Sequence, residues 1–279
     1  MAFPRGAAER GIDRLTFVAT GRISVTQLKG KVVIVTGGSE GIGFGIVQKL
    51  TMEGARVVFC SRSAEKGAKA LQQLAELGLE ADYLQADVGV RERAESVVAT
   101  TIERYGRVDG LVNNAQAEWK WVPVEDKTED AYDKALSSGF HASRWLMNAV
   151  FPHYRDQGGG RVINFGSRRA VYGAKLSAEY NSTKEAIRGL TLSAAREWGR
   201  HNITVNVICP ACESAATVEY MKNNPEMAAR TLLAIPMRRL GKAVEDLGAL
   251  VAGLLTEDAR FITGQTFFAD GGLHLKRPE

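Results

Sequence analysis

Val32-Val33-Ile34-Val35-Thr36-Gly37-Gly38-Ser39-Glu40-Gly41-Ile42-Gly43 is the stretch that decides the fold. An unbroken run of β-branched aliphatic residues suits a strand buried on both faces. The glycines that follow mark a turn, and the residues after them read as a helix. A strand that enters a helix through such a turn aims free backbone N–H groups, and the positive end of the helix, at one point. That is the arrangement a pyrophosphate needs. Glycine at 37, 41 and 43, spaced GxxxGxG, lets the chain turn tightly and lets phosphate oxygens approach the backbone. Thr36, Ser39, Glu40 and Ile42 complete this candidate dinucleotide-binding turn.

Outward from the turn the same alternation repeats. A helix ends near Glu53-Gly54, and β-rich runs follow at Arg56–Cys60, Tyr83–Ala86, Gly110–Asn113, Arg161–Phe165, Thr204–Cys209 and Thr266–Ala269. Seven strands alternating with helical stretches predict βαβ units and an α/β fold, a doubly wound parallel sheet with helices on both faces. Right-handed crossovers then gather ligands at the carboxyl ends of the strands. A chain of 279 residues can bury one large core, and no repeat or second domain is visible. The domain reads as 30–279, with a helix-prone, strandless segment at about 212–236 expected to act as a lid. Residues 1–29 mix Arg5, Arg10, Arg14 and Arg22 with Glu9 and Asp13 and lack an apolar core, so they do not read as a secretory signal. They are expected to form an arm, disordered or lying on the surface, with organellar targeting as the lesser alternative.

Net charge is +4, with both signs interleaved, which argues against a nucleic-acid or membrane surface. The apolar runs are too short to cross a bilayer. Cys60, Cys209 and Cys212 form no paired framework. The CxxC at 209–212 encloses Pro210 and has no second ligand pair, so apolar filler and loop thiols are expected rather than a metal site. A reducing, cytoplasmic setting fits.

Far downstream, Tyr180 and Lys184 are spaced i,i+4 and project from one helix face. A free tyrosine, with a pKa near 10, is a poor acid–base group at neutral pH. A lysine ammonium beside it favours the phenolate and lowers that pKa. Ser167 follows the strand Val162-Ile163-Asn164-Phe165 and lies 13 positions before the tyrosine.

Together with the glycine turn and the run Asn113-Asn114-Ala115, these residues resemble the short-chain dehydrogenase/reductase family, classical type, from about Lys31 to Gly272. The resemblance implies a Rossmann-like sheet and nicotinamide-dependent interconversion of an alcohol and a ketone or aldehyde. It implies Tyr180 as acid–base, Lys184 tuning it and holding the nicotinamide ribose, and Ser167 polarising the carbonyl. Asp87, followed by Val88, matches the family aspartate that meets the adenine, while Asn114 and Ala115 close the fourth strand beside the cofactor. NAD-using members place an acid where Ser61 stands. Here Arg62 follows instead and suits a 2′-phosphate, which favours NADP(H), although Glu40, where many NADP users carry a cation, keeps NAD(H) open.

Three positions depart from the family pattern. Its final glycine after Asn-Asn-Ala is Gln116, its helix-kinking asparagine falls on Gly139 beside Ser138, and its Pro-Gly is Pro210-Ala211. A cofactor-binding regulator or scaffold with impaired catalysis is the alternative these departures raise.

Trp119, Trp121, Arg168, Arg169, Tyr172 and Glu213, with Gln116, lie on segments expected around the nicotinamide end. Such a lining suits a bulky or aromatic small-molecule substrate bearing a carboxylate, with steroid, aryl-alcohol, sugar and acyl-thioester substrates all open. The amphipathic stretches Ala142–Tyr154 and Asn181–Arg200 correspond to helices that pair subunits in the family, and Phe267-Phe268-Ala269-Asp270-Gly271-Gly272 resembles its second interface. A homotetramer or homodimer is expected.

Overall fold

A computed structural model of the chain describes residues 28–213 and 215–275. β1 (Val32–Thr36), β2 (Arg56–Ser61), β3 (Asp82–Gln85), β4 (Gly110–Asn113), β5 (Gly160–Phe165), β6 (Ile203–Pro210) and β7 (Thr266–Ala269) form one sheet in the order 3-2-1-4-5-6-7. Every pairing is parallel. The strand order reverses between β1 and β4, so a crevice opens at their carboxyl ends, where crossovers leave in opposite directions. Each expected strand is present, with ends shifted by about a residue.

Alternation along β1 explains the two layers. Val33 and Val35 face one side, packing with Ile46 and Leu50 of α1 (Gly41–Met52) and Leu74 of α2 (Ala64–Glu76). Ile34 faces the other, with Val97 and Val98 of α3 (Arg91–Tyr105) and Leu146, Met147 and Val150 of α5 (Ala142–Asp156). The central strands are buried along their length, as strands covered on both faces must be. Leu28, expected in the N-terminal arm, is fully buried in the first of these layers, so the packed domain begins before residue 30. The rest of the arm lies outside the described residues.

Between β4 and α5 the chain forms α4 (Glu129–Leu136) and a π-helical turn at Ser137–His141. After β5 come the short α6 (Arg168–Val171) and the long α7 (Ala178–Trp198). The strandless segment beyond β6 carries α8 (Ala215–Asn223) and α9 (Pro225–Ala234), tied back by a lone bridge between Cys212 and Gly241. A second π-helical turn at Ala243–Gly248 leads into α10 (Ala249–Leu254). Among the described residues, no helix is long and apolar enough to cross a membrane.

Candidate active site at the carboxyl ends of the strands

The glycine turn has the geometry its spacing implies. Gly37 adopts φ +65°, and a Cβ on Gly43 would lie 2.1 Å from the Gly37 carbonyl oxygen, so a side chain at 43 would push the helix off the strand. Ile42 enters the first turn of α1 half-buried. Thr36, buried at the tip of β1, accepts from the N–H groups of Asn114 and Ala115, each at 3.0 Å. Asn114 Nδ2 donates back to the carbonyls of Thr36 (3.0 Å) and Gly37 (3.2 Å). These bonds weld β1 to β4 where the crevice opens. A cavity of about 300 Å³ runs along it, lined among others by Gly37, Ser39, Arg62, Asp87, Asn114 and Gln116. Ser61, Val88 and Ala115 also reach its wall, whereas Pro210 ends β6 outside it. Asp87 lines the cavity and accepts from Gly89 N–H at 3.0 Å, closing a turn at the same time.

The same cavity contains a cation that the sequence pattern did not reveal. Lys66, in the first turn of α2, reaches Glu40 at 2.9 Å across the mouth. The Glu40 carboxylate raises the Lys66 pKa through a hydrogen bond and its charge. The carboxylate that argues against a 2′-phosphate is thus already engaged by a lysine four residues beyond Arg62. The signal was the i,i+4 spacing of

Ser167, Tyr180 and Lys184 meet at the end of β5. Ser167 caps α6, accepting from Arg169 N–H at 3.1 Å, and its hydroxyl lies near enough to Tyr180 to act on its pKa. Lys184 is buried, donates to the Phe165 carbonyl at 2.9 Å, and lies 5.6 Å from the centroid of the Tyr180 ring. Burial pushes the Tyr180 pKa up, while the Ser167 hydrogen bond and the Arg169 charge pull it down. Burial also lowers the Lys184 pKa to about 8. Arg169 therefore acts on the tyrosine where the spacing had assigned that pull to Lys184 alone.

Two of the departures explain each other. Gln116 donates to the Ala135 carbonyl at 3.2 Å and to Ser138 Oγ at 3.4 Å, wedged against the π-helical turn. A Cβ on Gly139 would lie 2.4 Å from Gln116 Oε1 and 2.5 Å from Thr183 Cγ2. The side chain added at 116 occupies the volume vacated at 139. Ala211 is absent from the described residues with positive φ and bonds both ways, its N–H to Ala269 and its carbonyl to Gly241 N–H. Nothing there requires glycine.

Trp119 stacks on Tyr180, with ring centroids 4.2 Å apart and 28° between the planes. Trp121 lies 5.9 Å behind it, and the Arg169 guanidinium sits 4.4 Å from the Trp121 centroid. The segment bearing these rings is anchored by Lys127, which pairs with Glu179 at 2.6 Å and also donates to the Lys120 carbonyl. Both side chains of this pair are 1% exposed. The other pocket candidates separate from this cluster. Arg168 lies over Tyr172, whose hydroxyl donates to the His274 carbonyl at 2.8 Å, and Glu213 is exposed with its N–H on the Gly241 carbonyl. Glu213, expected beside the nicotinamide end, is held by the backbone of the segment beyond α9 instead. Cys209 and Cys212 are free thiols whose pKa values burial raises to about 11.

Residues 37–274 match a family model described as enoyl-(acyl carrier protein) reductase. The chain is 34% identical over 251 residues to a 12alpha-hydroxysteroid dehydrogenase from Clostridium sp., covering 88% of this chain and 96% of that relative. It is 33% identical over 269 residues to human dehydrogenase/reductase SDR family member 4, covering 96% of each. A solved levodione reductase superposes with a TM-score of 0.82 at 31% identity, over 88% of this chain and 98% of that one. An NADP complex of RhlG from Pseudomonas aeruginosa also gives 0.82, at 30% identity over 90% and 99%. With its sheet order, glycine turn and carboxyl-end crevice, the chain belongs to the short-chain dehydrogenase/reductase family and is an oxidoreductase of the alcohol/carbonyl type.

Proposed function

We propose that this protein interconverts a small-molecule alcohol and its ketone or aldehyde with Tyr180 as the acid–base, Ser167 as the group that polarises the carbonyl, and Lys184 as the cation beside them. The observation that carries this reading is the Ser167–Tyr180 hydrogen bond with the buried Lys184 ammonium one helical turn away. Bound in the crevice, a nicotinamide dinucleotide supplies the hydride that the carbonyl carbon accepts. Gly37, Ser39, Gly41 and Gly43 would hold its pyrophosphate, and Asp87 and Val88 its adenine. Tyr180 Oη then donates a proton to the substrate oxygen in reduction and accepts it in oxidation, while Ser167 Oγ keeps that oxygen oriented. Lys184 favours the phenolate that reduction leaves behind.

NADP(H) is the favoured cofactor. Arg62 and Lys66 are two cations on one wall of the cavity, and Glu40 has a partner there. The protein is taken to work as a cytoplasmic homotetramer or homodimer, with residues 212–236 as a lid. The regulator alternative loses part of its motive, because Gln116 and Gly139 are mutually compensating and Ala211 is unstrained. The test is Tyr180→Phe: NADPH oxidation in the presence of a ketone should fall by about a thousandfold or more, with cofactor affinity nearly intact. Undiminished turnover in that variant would falsify the assignment.

A further inference from the structure

Resting on the oxidoreductase reading, we propose that Arg169 and Trp119 form an anion-reading subsite beside Tyr180, so that the substrate is a ring ketone or ring alcohol bearing a carboxylate. Arg169 is a half-buried guanidinium on which no carboxylate acts, the charged neighbours being Tyr180 and Arg168. Its Nη2 reaches only the Lys175 carbonyl at 3.4 Å and Ser177 Oγ at 3.3 Å, both long contacts. Its Nε is buried without a partner among the described residues. The indole Nε1 of Trp119, stacked on Tyr180, is likewise buried and unpartnered. Folded chains seldom leave buried donors unmade, and two of them flank the ring that handles the proton.

Nearby acids do not explain these donors. Glu179 is taken by Lys127, and Glu118 is exposed with its charge acting on Lys66. A guanidinium presents a planar fork that matches a carboxylate, and stacking against Trp121 holds that fork in one orientation. The faces of Trp119 and Tyr180 supply a flat wall, which suits a ring better than a flexible chain. The charge and the wall sit on opposite sides of one substrate, since α6 carries Arg169 directly after the polarising Ser167.

The experiment compares 4-oxocyclohexanecarboxylate with its methyl ester as substrates for the purified protein with NADPH. The expected kcat/KM for the acid exceeds that for the ester by about tenfold or more. In Arg169→Gln the ratio should fall to about one, chiefly through KM, while Arg169→Lys keeps the charge without the fork and recovers part of it. A second readout needs no turnover. In Tyr180→Phe protein, cyclohexanecarboxylate should quench tryptophan fluorescence at about tenfold lower concentration than cyclohexanecarboxamide. Equal rates for acid and ester, or equal quenching by both ligands, would overturn the subsite. Preferential carboxylate binding with no ketone reduced at all would leave the subsite standing and remove the oxidoreductase reading instead.

Discussion

Position 184 places an ammonium where water cannot reach it. Lys184 is 3% exposed, and the Phe165 carbonyl is its single printed acceptor. Its pKa is lowered from 10.5 to about 8. The folded state therefore releases this proton before the unfolded state does. The burial penalty is full below pH 8 and is relieved as pH rises from about 8 towards 10.5, so this group makes stability increase with pH in that window. A shift of this size corresponds to about 3 kcal/mol, and the lost hydrogen bond to Phe165 offsets about 1 kcal/mol of it. Lys184→Met should accordingly stabilise the protein at pH 7 by about 2 kcal/mol in urea denaturation while abolishing turnover. A destabilised variant would show that the buried ammonium contributes to folding rather than opposing it. Lys66 makes the second residue-scale case. Its pair with Glu40 is largely exposed, 55% and 65% by side chain, so a phosphate can replace the carboxylate at little cost. Calorimetric titration should show NADPH binding about tenfold more tightly than NADH. Lys66→Ala should narrow that gap, and tighter NADH would mean that Glu40 prevails.

The π-helical turn at Ser137–His141 shows how an element absorbs a departure from family pattern. Gly→Ala in a helical turn ordinarily stabilises by about 0.5–1 kcal/mol. Here a Cβ at 139 would collide with Gln116 and Thr183, so the sign should invert, with Gly139→Ala costing about 1–3 kcal/mol. Adding Gln116→Gly removes one of the two collisions. The double variant should therefore recover part of the loss, with a coupling of about 1 kcal/mol in a double-mutant cycle. Additive effects would mean that the two positions do not share a volume. The same elements show what a single sequence discloses. The strands were legible because a parallel sheet buried on both faces demands unbroken aliphatic runs, and Val32–Val35 and Val162–Phe165 supply them. Ser167, Tyr180 and Lys184 were legible because helix geometry converts spacing into proximity. Lys66–Glu40, Lys127–Glu179 and the Trp119–Tyr180 stack join residues separated by 26, 52 and 61 positions, and nothing local encodes such contacts. The Gln116–Gly139 exchange was visible only as two separate oddities, since their shared volume exists only once β4 and the π-helical turn are placed.

At the scale of the whole molecule, the strand order that creates the crevice also leaves two sheet edges, β3 and β7. Edges offer unpaired backbone groups and are normally short, covered or docked. β7 is four residues long, with Phe267 and Phe268 half-exposed, and pairs on one side only. The loop that leads into it carries Phe261, 100% exposed, beside Ile262 at 36%. A Cβ on Gly264 would lie 3.5 Å from that of Ala195, so this loop rests on α7, where Leu192 is 49% exposed one turn earlier. Exposed apolar side chains on adjoining elements mark an association surface rather than scattered surface residues. If copies of the chain meet through this edge, burying Phe261 removes a whole aromatic side chain from water, a contribution of about 2 kcal/mol per subunit. Sedimentation of the wild-type protein at micromolar concentration should then give a dimer or tetramer. Phe261→Asp would bury a charge in each copy of the interface and should shift the mass towards the monomer, with far-ultraviolet circular dichroism unchanged because the side chain contributes nothing to the subunit core. An unchanged mass in that variant would move the interface away from the β7 edge, and a monomeric wild type would leave Phe261 as a surface residue without a partner copy.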